Sequence, residues 1–448
     1  MNTATPTAPP RRRATGPSTV LLALTCWAGA ALAGAAPDPA APRTAAADGA
    51  PTLTVARALH LAVDQAPALA AERLRLAASR SAAIPAGELP DPELMLGIEG
   101  LPIEGPDRYR FDAEPMTMAG IGVAQRFPNR QRREARVSAA QGRIGVAEAR
   151  TALTRTEVLQ RVAAAWIERH TAERQLAQLP ALFAENDLLA AAVAARYGGG
   201  DGPAGDVVLP RQERVRLEEL QDGLTAARRA ATAELVRWIG DAGAAPLPDA
   251  APDWDVDPAR LLAAVPGHPA LRVYDAEARV LDAGVAEAEA ARRPDWGIEL
   301  GWRHRDDRFG DMVMMRVAMD LPLFAARRQN PEIAARQAER SALTADREAA
   351  RRAREADLAA DLAEYDQLDA AARRLAGVAV PLAEEKVDLT TADWLADRTG
   401  LTAVVAARLE LAETRLRAIA LDGARRSLAA RLHYAYADSN STQEGALP

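Results

Sequence analysis

The sequence contains a single cysteine, Cys26, and aromatic residues make up only 4% of its 448 positions. With no second cysteine, the chain can form neither an internal disulfide nor a thiolate cluster for a metal. So few aromatic side chains are unusual in compact globular cores and favour long helices packed side by side. Charged residues are plentiful, but no arginine cluster is interleaved with aromatic residues as on nucleic-acid-binding surfaces. We therefore expect no nucleic-acid partner.

Long hydrophobic runs are also missing from most of the chain. The apolar run in the first 35 residues follows three arginines and ends in small residues, which is the pattern of a secretory signal peptide. We predict a signal peptide at 1–35 and a flexible segment at 36–52. Cys26 lies inside this signal, and the preceding Leu24-Thr25 is a poor match to a lipoprotein signal. No later stretch approaches the ~20 apolar residues of a membrane-spanning helix.

Motifs for catalysis are lacking as well. The five histidines are scattered, and the sequence has no HExxH pair and no serine between flanking glycines. Adjacent acids such as Asp306 and Asp307 lie in a polar loop, where a solvated surface is the usual interpretation. We expect no enzyme activity and no cofactor, and we assign no catalytic residue or metal ligand.

What the sequence does contain is an internal repeat. Residues 66–100 align with 268–302 at a constant offset, and residues 120–128 align with 314–322. Matched pairs include Pro67 with Pro269, Pro92 with Pro294, Val123 with Val317, Pro180 with Pro381 and Gly200 with Gly400. Each half is predicted to run helix, strand, strand, long helix, turn, helix.

The repeat gives a division of the chain. We predict a first repeat at 53–240, a linker rich in proline and glycine at 241–256, a second repeat at 257–437 and a disordered tail at 438–448. The strands are predicted near 92–101, 116–127, 294–305 and 311–323, and the turns near 198–205 and 398–402.

Apolar and polar residues alternate in these strands, so that each strand has one apolar face and one polar face. Strands of about ten residues with this alternation are typical of a membrane β-barrel. The residues predicted to face lipid are Leu94, Leu96, Ile98, Trp296, Ile298, Val313, Met315 and Val317. The residues predicted to face the lumen are Glu299, Arg303, Arg316 and Asp320.

Every methionine after Met1 falls in a predicted strand. Thioethers bind soft cations such as Cu(I) and Ag(I), which is one interpretation of this placement. Met315 and Met319, however, belong to the apolar face, where flexible side chains fill an irregular wall. We favour packing and predict no metal site.

Four strands cannot close a barrel, because two edges would leave their N–H and C=O groups unpaired in hydrocarbon. Three copies would supply 12 strands and a closed barrel with room for an aqueous pore. We therefore expect the chain to oligomerise.

The helices support an elongated molecule. Arg130 to Gly198 and Arg327 to Gly400 would each give a helix about 100 Å long at 1.5 Å per residue. Shorter helices are predicted near 54–86, 205–238, 257–291 and 401–436, so that two stacked end to end match one long helix. Alternatively, Pro180 and Pro381 each end a shorter helix.

The order of elements, the twofold repeat and the signal peptide resemble the outer-membrane channel proteins of the TolC family over essentially the whole mature chain. The segments PDPELMLGIEGLP and GIGVAQRFPNRQRREAR are similar to its heavy-metal branch, which exports cobalt, zinc and cadmium or copper and silver. That branch usually has a Gly-Lys-Arg sequence where this chain has Asn129 to Arg133.

The resemblance implies a mainly helical chain. Its coiled-coil barrel would extend into the periplasm from a small transmembrane β-barrel of four strands per chain, 12 in the trimer. It implies a passive homotrimeric conduit, embedded in outer-membrane lipid, that docks onto a periplasmic adaptor and an inner-membrane pump of the resistance-nodulation-division type. The turns at the helix tips would contact the adaptor, which makes Gly200, Gly400, Leu401 and Thr402 docking candidates. Asp206 would belong to an acidic ring at the periplasmic entrance.

Two alternatives stay open at the level of sequence. The same kind of channel could carry organic drugs or a secreted polypeptide, because cargo selection usually lies in the pump. A non-channel periplasmic coiled coil with two small hairpins is the alternative from another class of protein.

Overall fold

The computed structural model describes residues 52–200 and 202–436. The predicted signal peptide at 1–35, nearly all of the segment at 36–52 and the predicted tail at 438–448 lie outside these residues. Ten α-helices and four β-strands occur in the described part. The chain is mainly helical with one small antiparallel sheet, which confirms the predicted fold class.

The elements come in the same order in both halves of the chain. In the first half, α1 to α5 are Val55–Gln65, Pro67–Ala83, Arg130–Leu176, Leu179–Gly198 and Leu209–Ile239, and β1 and β2 are Glu93–Glu99 and Met118–Phe127. In the second half, α6 to α10 are Pro258–Ala264, Pro269–Ala290, Gln329–Arg374, Val380–Leu395 and Leu401–Tyr436, and β3 and β4 are Trp296–His304 and Met312–Met319.

The first predicted helix of each half is in fact two helices. Pro67 and Pro269 each occupy the first position of the second helix. A proline pushes the residue before it out of the helical region, and Ala66 is accordingly extended with ψ 121°. The continuous helices expected at 54–86 and 257–291 were therefore wrong at these two prolines.

The two long helices are interrupted near Pro180 and Pro381. Helix α3 ends at Leu176, and α4 begins at Leu179 with Pro180 in its first turn. In the second half, the π-helical segment Leu375–Ala379 joins α8 to α9. Proline has no N–H and its ring displaces the carbonyl four residues earlier, so the α-helical bonding pattern cannot continue through it. The first break is a turn, whereas the second keeps a helical path.

The four strands form one sheet in the order β1-β2-β3-β4, with every pair antiparallel. The two hairpins of the repeats meet at the β2–β3 pair, where Val123 lies opposite Leu300. Strands β1 and β4 are the edges, and each pairs on one side only.

The helices pack in a layer with a simple order. Near the sheet, α3 lies between α2 and α7, and α8 packs on the other side of α7. Farther from the sheet, α3 packs between α5 and α10, and α10 contacts α8 and α9. The layer is therefore four helices wide at both levels. Its edge helices are α2 and α8 near the sheet and α5 and α9 near the far end.

The largest hydrophobic cluster surrounds Trp166 of α3, which is 0% exposed and packs with residues of α1, α5 and α10. Its indole Nε1 donates a hydrogen bond of 2.7 Å to the carbonyl oxygen of Leu53. A buried tryptophan needs such an acceptor, and this bond ties the start of α1 to the middle of α3.

The segment between the halves is held against the helices by hydrogen bonds to its carbonyl oxygens. Arg169 Nη1 donates to the carbonyl of Gly243 at 2.7 Å, and His170 Nε2 lies 3.0 Å from the carbonyl of Asp249. From the second half, Arg426 Nη1 donates to the carbonyl of Ala251 at 3.0 Å. The segment is therefore fixed to both halves of the chain.

Among the helices of residues 52–200 and 202–436, none has both the length and the hydrophobicity of a membrane span.

His268 is a buried N-cap of α7, and its Nδ1 accepts a hydrogen bond of 3.1 Å from the N–H of Ala270. Burial, and then the charge of Arg354, lower the pKa of His268 from 6.5 to about 4. Between these values the unfolded chain binds a proton that the folded chain does not, so the stability of the fold decreases as the pH falls from 6.5 towards 4.

We expect His268→Asn to weaken this pH dependence, because asparagine is a good N-cap that does not titrate in this range. One histidine contributes at most about 1.4 kcal/mol per pH unit to the unfolding free energy. Urea unfolding of both proteins at pH 7.5 and pH 5 measures the difference. Some dependence should remain, since burial also lowers the pKa of His433. Identical pH dependence in the two proteins would contradict the assignment.

Candidate functional site

The sheet has two chemically different faces, which its register defines. All eight residues predicted to face lipid lie on one face: Leu94, Leu96, Ile98, Trp296, Ile298, Val313, Met315 and Val317. Most of them are exposed in the single chain, and Val313 reaches 80%. Gln125 and His304 also lie on this face, but its apolar surface is far larger than isolated exposed side chains and is typical of a surface that contacts a partner or a membrane. We call it the apolar sheet face.

The opposite face carries the charged residues and is called the polar sheet face. Arg316 Nη1 of β4 donates a hydrogen bond of 3.0 Å to Glu299 Oε2 of β3. Arg303 of β3 is only 8% exposed, and its Nη2 lies 3.0 Å from Glu99 Oε1 of β1. The side chain of Arg303 therefore crosses over β2 to reach the edge strand.

Two glycines make room for this crossing. A Cβ atom on Gly120 of β2 would lie 2.5 Å from Arg303 Cδ, and one on Gly301 would lie 2.6 Å from Arg303 Nη1. Neither distance is possible without moving the guanidinium group. The contact between Arg303 and Glu99 depends on the pairing of strands about 200 residues apart, so sequence reasoning did not find Glu99 or the role of the glycines.

Four methionines also lie on the polar sheet face: Met95, Met118, Met312 and Met314. Met315 and Met319 lie on the apolar sheet face, as expected. The sulfur of Met314 is 3.9 Å from a guanidinium nitrogen of both Arg303 and Arg316. Within the described residues, no group of three or more His, Cys, Asp or Glu side chains is arranged to hold a metal ion.

Asp320 was predicted to face the lumen from a strand, but β4 ends at Met319. The backbone N–H of Asp320 donates to the carbonyl of Asp295 at 2.9 Å. Pro322 follows two residues later and cannot donate to a ladder, which limits the strand here. Asp320 therefore lies at the junction between the sheet and the helices.

At the far end of the molecule, the chain reverses between α4 and α5 and again between α9 and α10. Gly200 has φ +85°, a conformation that glycine adopts without strain. In the second reversal the residue with positive φ is Asp397, at +54°, and not Gly400. Aspartate tolerates this region better than most residues. The matched glycines Gly200 and Gly400 therefore differ in backbone conformation.

The two reversals pack against each other through a shared hydrophobic cluster of Leu189, Val193, Trp394, Leu401, Val404 and Val405. Arg196 of the first reversal stacks 5.0 Å from the ring centre of Trp394. Its guanidinium group also forms an ion pair with Asp397 at 2.5 Å. Sequence reasoning missed these three residues, because their partners come from the other half of the chain.

The predicted docking residues differ in exposure. Gly200, Gly400 and Thr402 are exposed, and no atom lies within 4 Å of a Cβ built on either glycine. Leu401 is 1% exposed and packs in the cluster between the reversals. Its apolar side chain packs within the chain, and its role as a docking contact stays a prediction. Asp206 lies half-buried in the short 3-10 helix Ala204–Val208.

No protein-family model matches the sequence, and no curated protein matches it. Solved structures do match the fold. CusC, described with its transmembrane channel formation, has a TM-score of 0.72 and 14% identity over 86% of this chain and 92% of its own. The outer membrane protein VceC from Vibrio cholerae has a TM-score of 0.70 and 18% identity over 85% and 95%. The Neisseria gonorrhoeae MtrE outer membrane channel has a TM-score of 0.65 and 15% identity over 85% and 88%.

The chain therefore has the fold of these outer-membrane channels over most of its length. At identities of 14–18%, what the chains share is the fold.

The crossing of Arg303 gives a test of the polar sheet face. We expect Gly120→Ala to displace the guanidinium group and to lower the unfolding free energy by about 1 to 3 kcal/mol, because the buried Arg303 must move and loses its contact with Glu99. Gly97→Ala is the matched control on β1, since no atom lies within 4 Å of its Cβ position. Chemical unfolding in detergent compares them. Equal losses would contradict the proposed role of Gly120.

Proposed function

We propose that this protein is the outer-membrane channel of a tripartite efflux system and acts as a passive, non-catalytic trimeric conduit. The observation that carries the proposal is the four-stranded sheet, which has two unpaired edges, one apolar face and one charged face. In water this sheet would expose both its edges and its apolar face. In a closed ring of copies within lipid, the edges would pair with neighbouring copies and the apolar face would contact acyl chains.

The ring requires one edge of the sheet to pair with the other edge of the next copy. Such head-to-tail contacts between different surfaces close into a ring when the rotation between copies allows it. Strand β4 of one copy would pair with β1 of the next, and three copies would form the 12-stranded barrel. The residues of the apolar sheet face would then contact lipid, and Glu299, Arg303 and Arg316 would face the lumen.

The helix layer supports the same ring. Its edge helices follow the edge strands in the chain, because α2 leads into β1 and β4 leads into α8. At the far end, α5 and α9 occupy the two edges. Three copies would therefore form a helical barrel of 12 helices, coaxial with the β-barrel. Because the chain would be exported and the β-barrel would lie in the outer membrane, the helical barrel would extend into the periplasm.

We infer that the far end of the helical barrel is where a periplasmic adaptor docks, with an inner-membrane pump of the resistance-nodulation-division type behind it. The exposed Gly200, Gly400 and Thr402 are the candidate contacts, and Asp206 is the candidate for an acidic ring at the entrance. The exposure of these small residues supports the assignment, because close backbone approach requires small side chains.

Heavy-metal cations are the cargo that we propose. The support is the resemblance of the segments around Pro92 and Phe127 to the heavy-metal branch of the TolC family, together with the fold similarity to CusC. Organic drugs or a secreted polypeptide would use the same conduit, and a non-channel periplasmic coiled coil would lack the trimer. The experiments below distinguish the metal conduit from these alternatives.

A charge on the apolar sheet face should damage the assembly more than the loss of a charge on the polar sheet face. We expect Val317→Arg to cost about 2 to 4 kcal/mol if the residue lies near the bilayer midplane. Arg316→Ala, one residue away, removes a solvent-exposed guanidinium group while Glu299 keeps Arg303 at 4.0 Å, so we expect a smaller loss. The fraction of detergent-resistant trimer in outer-membrane extracts measures both effects. Similar damage from the two variants would argue against the membrane barrel.

A bulky residue at the candidate docking surface should block efflux without affecting assembly. We expect Gly400→Trp to abolish adaptor-dependent efflux while trimers still form, because its position is open and about 100 Å of helix separates it from the strands. Gly400→Ala should keep full efflux. Metal tolerance of cells with the matching pump and adaptor measures the effect.

Full metal tolerance in the tryptophan variant would refute the docking assignment. If the wild-type protein confers no metal tolerance with its own pump and adaptor present, the metal cargo is wrong, and drug export would then be the measurement to make.

A further inference from the structure

The two halves of the chain differ where the sheet meets the helices. One residue separates Pro128 from α3 in the first half, whereas six residues separate Pro322 from α8 in the second half. The additional segment, Leu323–Arg328, contains two large apolar residues and two arginines. It forms part of the wall of a pocket of about 400 Å³, which we call the junction pocket.

Three arginines line the junction pocket: Arg132, Arg293 and Arg328. Arg132 Nη1 donates to Asp295 Oδ2 at 2.6 Å, and Asn129 also donates to the other oxygen of this carboxylate. Asp295 is therefore already satisfied. Arg132 Nε is buried, makes no hydrogen bond and lies 3.9 Å from Glu287 Oε1. Arg132 is therefore held by the two carboxylates, and the exposed Arg293 and Arg328 are the arginines available to a ligand.

The pocket also contains both hydrogen-bond acceptors and charged donors that have no partner in the described part of the chain. Gln329 Oε1 is buried and makes no hydrogen bond. Within the described residues, the carboxylate of Asp320 and the guanidinium groups of Arg293 and Arg328 make no hydrogen bond or ion pair either. The pocket therefore offers cationic donors for an anion and, beside them, acceptors for a cationic donor.

Apolar side chains complete the wall of the pocket and continue onto the surface. Leu321, Leu323 and Phe324 line it and are strongly exposed, with Leu323 at 75%. Arginines beside exposed leucine and phenylalanine are typical of the boundary between the headgroups and the acyl chains of a bilayer. The sheet ends at this level, so in the proposed barrel the pocket lies at the membrane surface on the side of the helices.

We propose that the junction pocket binds the headgroup of a zwitterionic phospholipid of the phosphatidylethanolamine type. The arginines hold the phosphodiester, as arginine does in phosphate recognition generally. Asp320 and Gln329 Oε1 accept from the ammonium group, and Leu323 and Phe324 contact the acyl chains. The site rests on the proposed function, because the membrane barrel is what brings phospholipid to this level.

The experiment uses the purified protein in a non-ionic detergent with no phosphate in the buffer. Isothermal titration with dihexanoyl phosphatidylethanolamine, dihexanoyl phosphatidylglycerol and inorganic phosphate separates the possible sources of the anion. We expect the ethanolamine lipid to bind more tightly than the other two, at one per chain. Arg328→Gln should weaken it by about tenfold or more, since a charge-assisted hydrogen bond is lost.

Arg327→Gln is the matched control, because this neighbouring arginine is equally exposed but does not line the pocket. It should leave binding unchanged, and Asp320→Asn should remove the preference for the ethanolamine lipid over the glycerol lipid. Equal binding of both lipids to the wild-type protein would overturn the ammonium contact and with it the proposal. Inorganic phosphate binding as tightly as lipid would show a free-anion site and also overturn it.

The two proposals fail in different ways. If the protein forms outer-membrane trimers but does not bind the lipid, only the junction pocket assignment is wrong. If the protein is found as a soluble periplasmic chain, the channel proposal is wrong whatever the pocket binds.

Discussion

The backbone N–H and C=O groups of β1 and β4 set the main constraint on this molecule. Each edge strand has one side without a partner, and such groups are tolerated in water but not in hydrocarbon. The exposed apolar sheet face favours a hydrocarbon environment at the same time. A single chain cannot meet both conditions, and the proposed ring of three copies would meet them.

The helices agree with the sheet because both come from the same internal repeat. Two hairpins give a sheet four strands wide, and two sets of helices give a layer four helices wide. Ion pairs join the two halves of the chain. Arg303 of the second half pairs with Glu99 of the first on the sheet, and Arg196 of the first half pairs with Asp397 of the second at the far end. Hydrogen bonds from Arg169 and Arg426 fix the intervening segment in the same way. The repeats therefore behave as one unit.

Much of the fold could be predicted because its signals are local. Alternation in residues 294–305 and 311–323 predicted β3 and β4, and it placed Glu299 and Arg316 on the face opposite Ile298 and Val317. Prolines also act locally, yet the breaks at Pro67 and Pro269 were overlooked in a strong helical pattern.

The rest depends on contacts between distant segments, which one sequence does not reveal. Leu401 looked like a tip residue but packs against Trp394 and the first reversal. Asp397, rather than Gly400, has the positive φ, which aspartate tolerates better than most residues. Only the strand register shows that Arg303 passes over Gly120, where a side chain would meet the guanidinium group.

The number of chains in the membrane-extracted protein tests the central claim most directly. Native mass spectrometry of the protein purified from the outer-membrane fraction in detergent gives this number without any variant. Our account predicts a complex of three identical chains. A single chain, or protein recovered only in the soluble periplasmic extract, would contradict it.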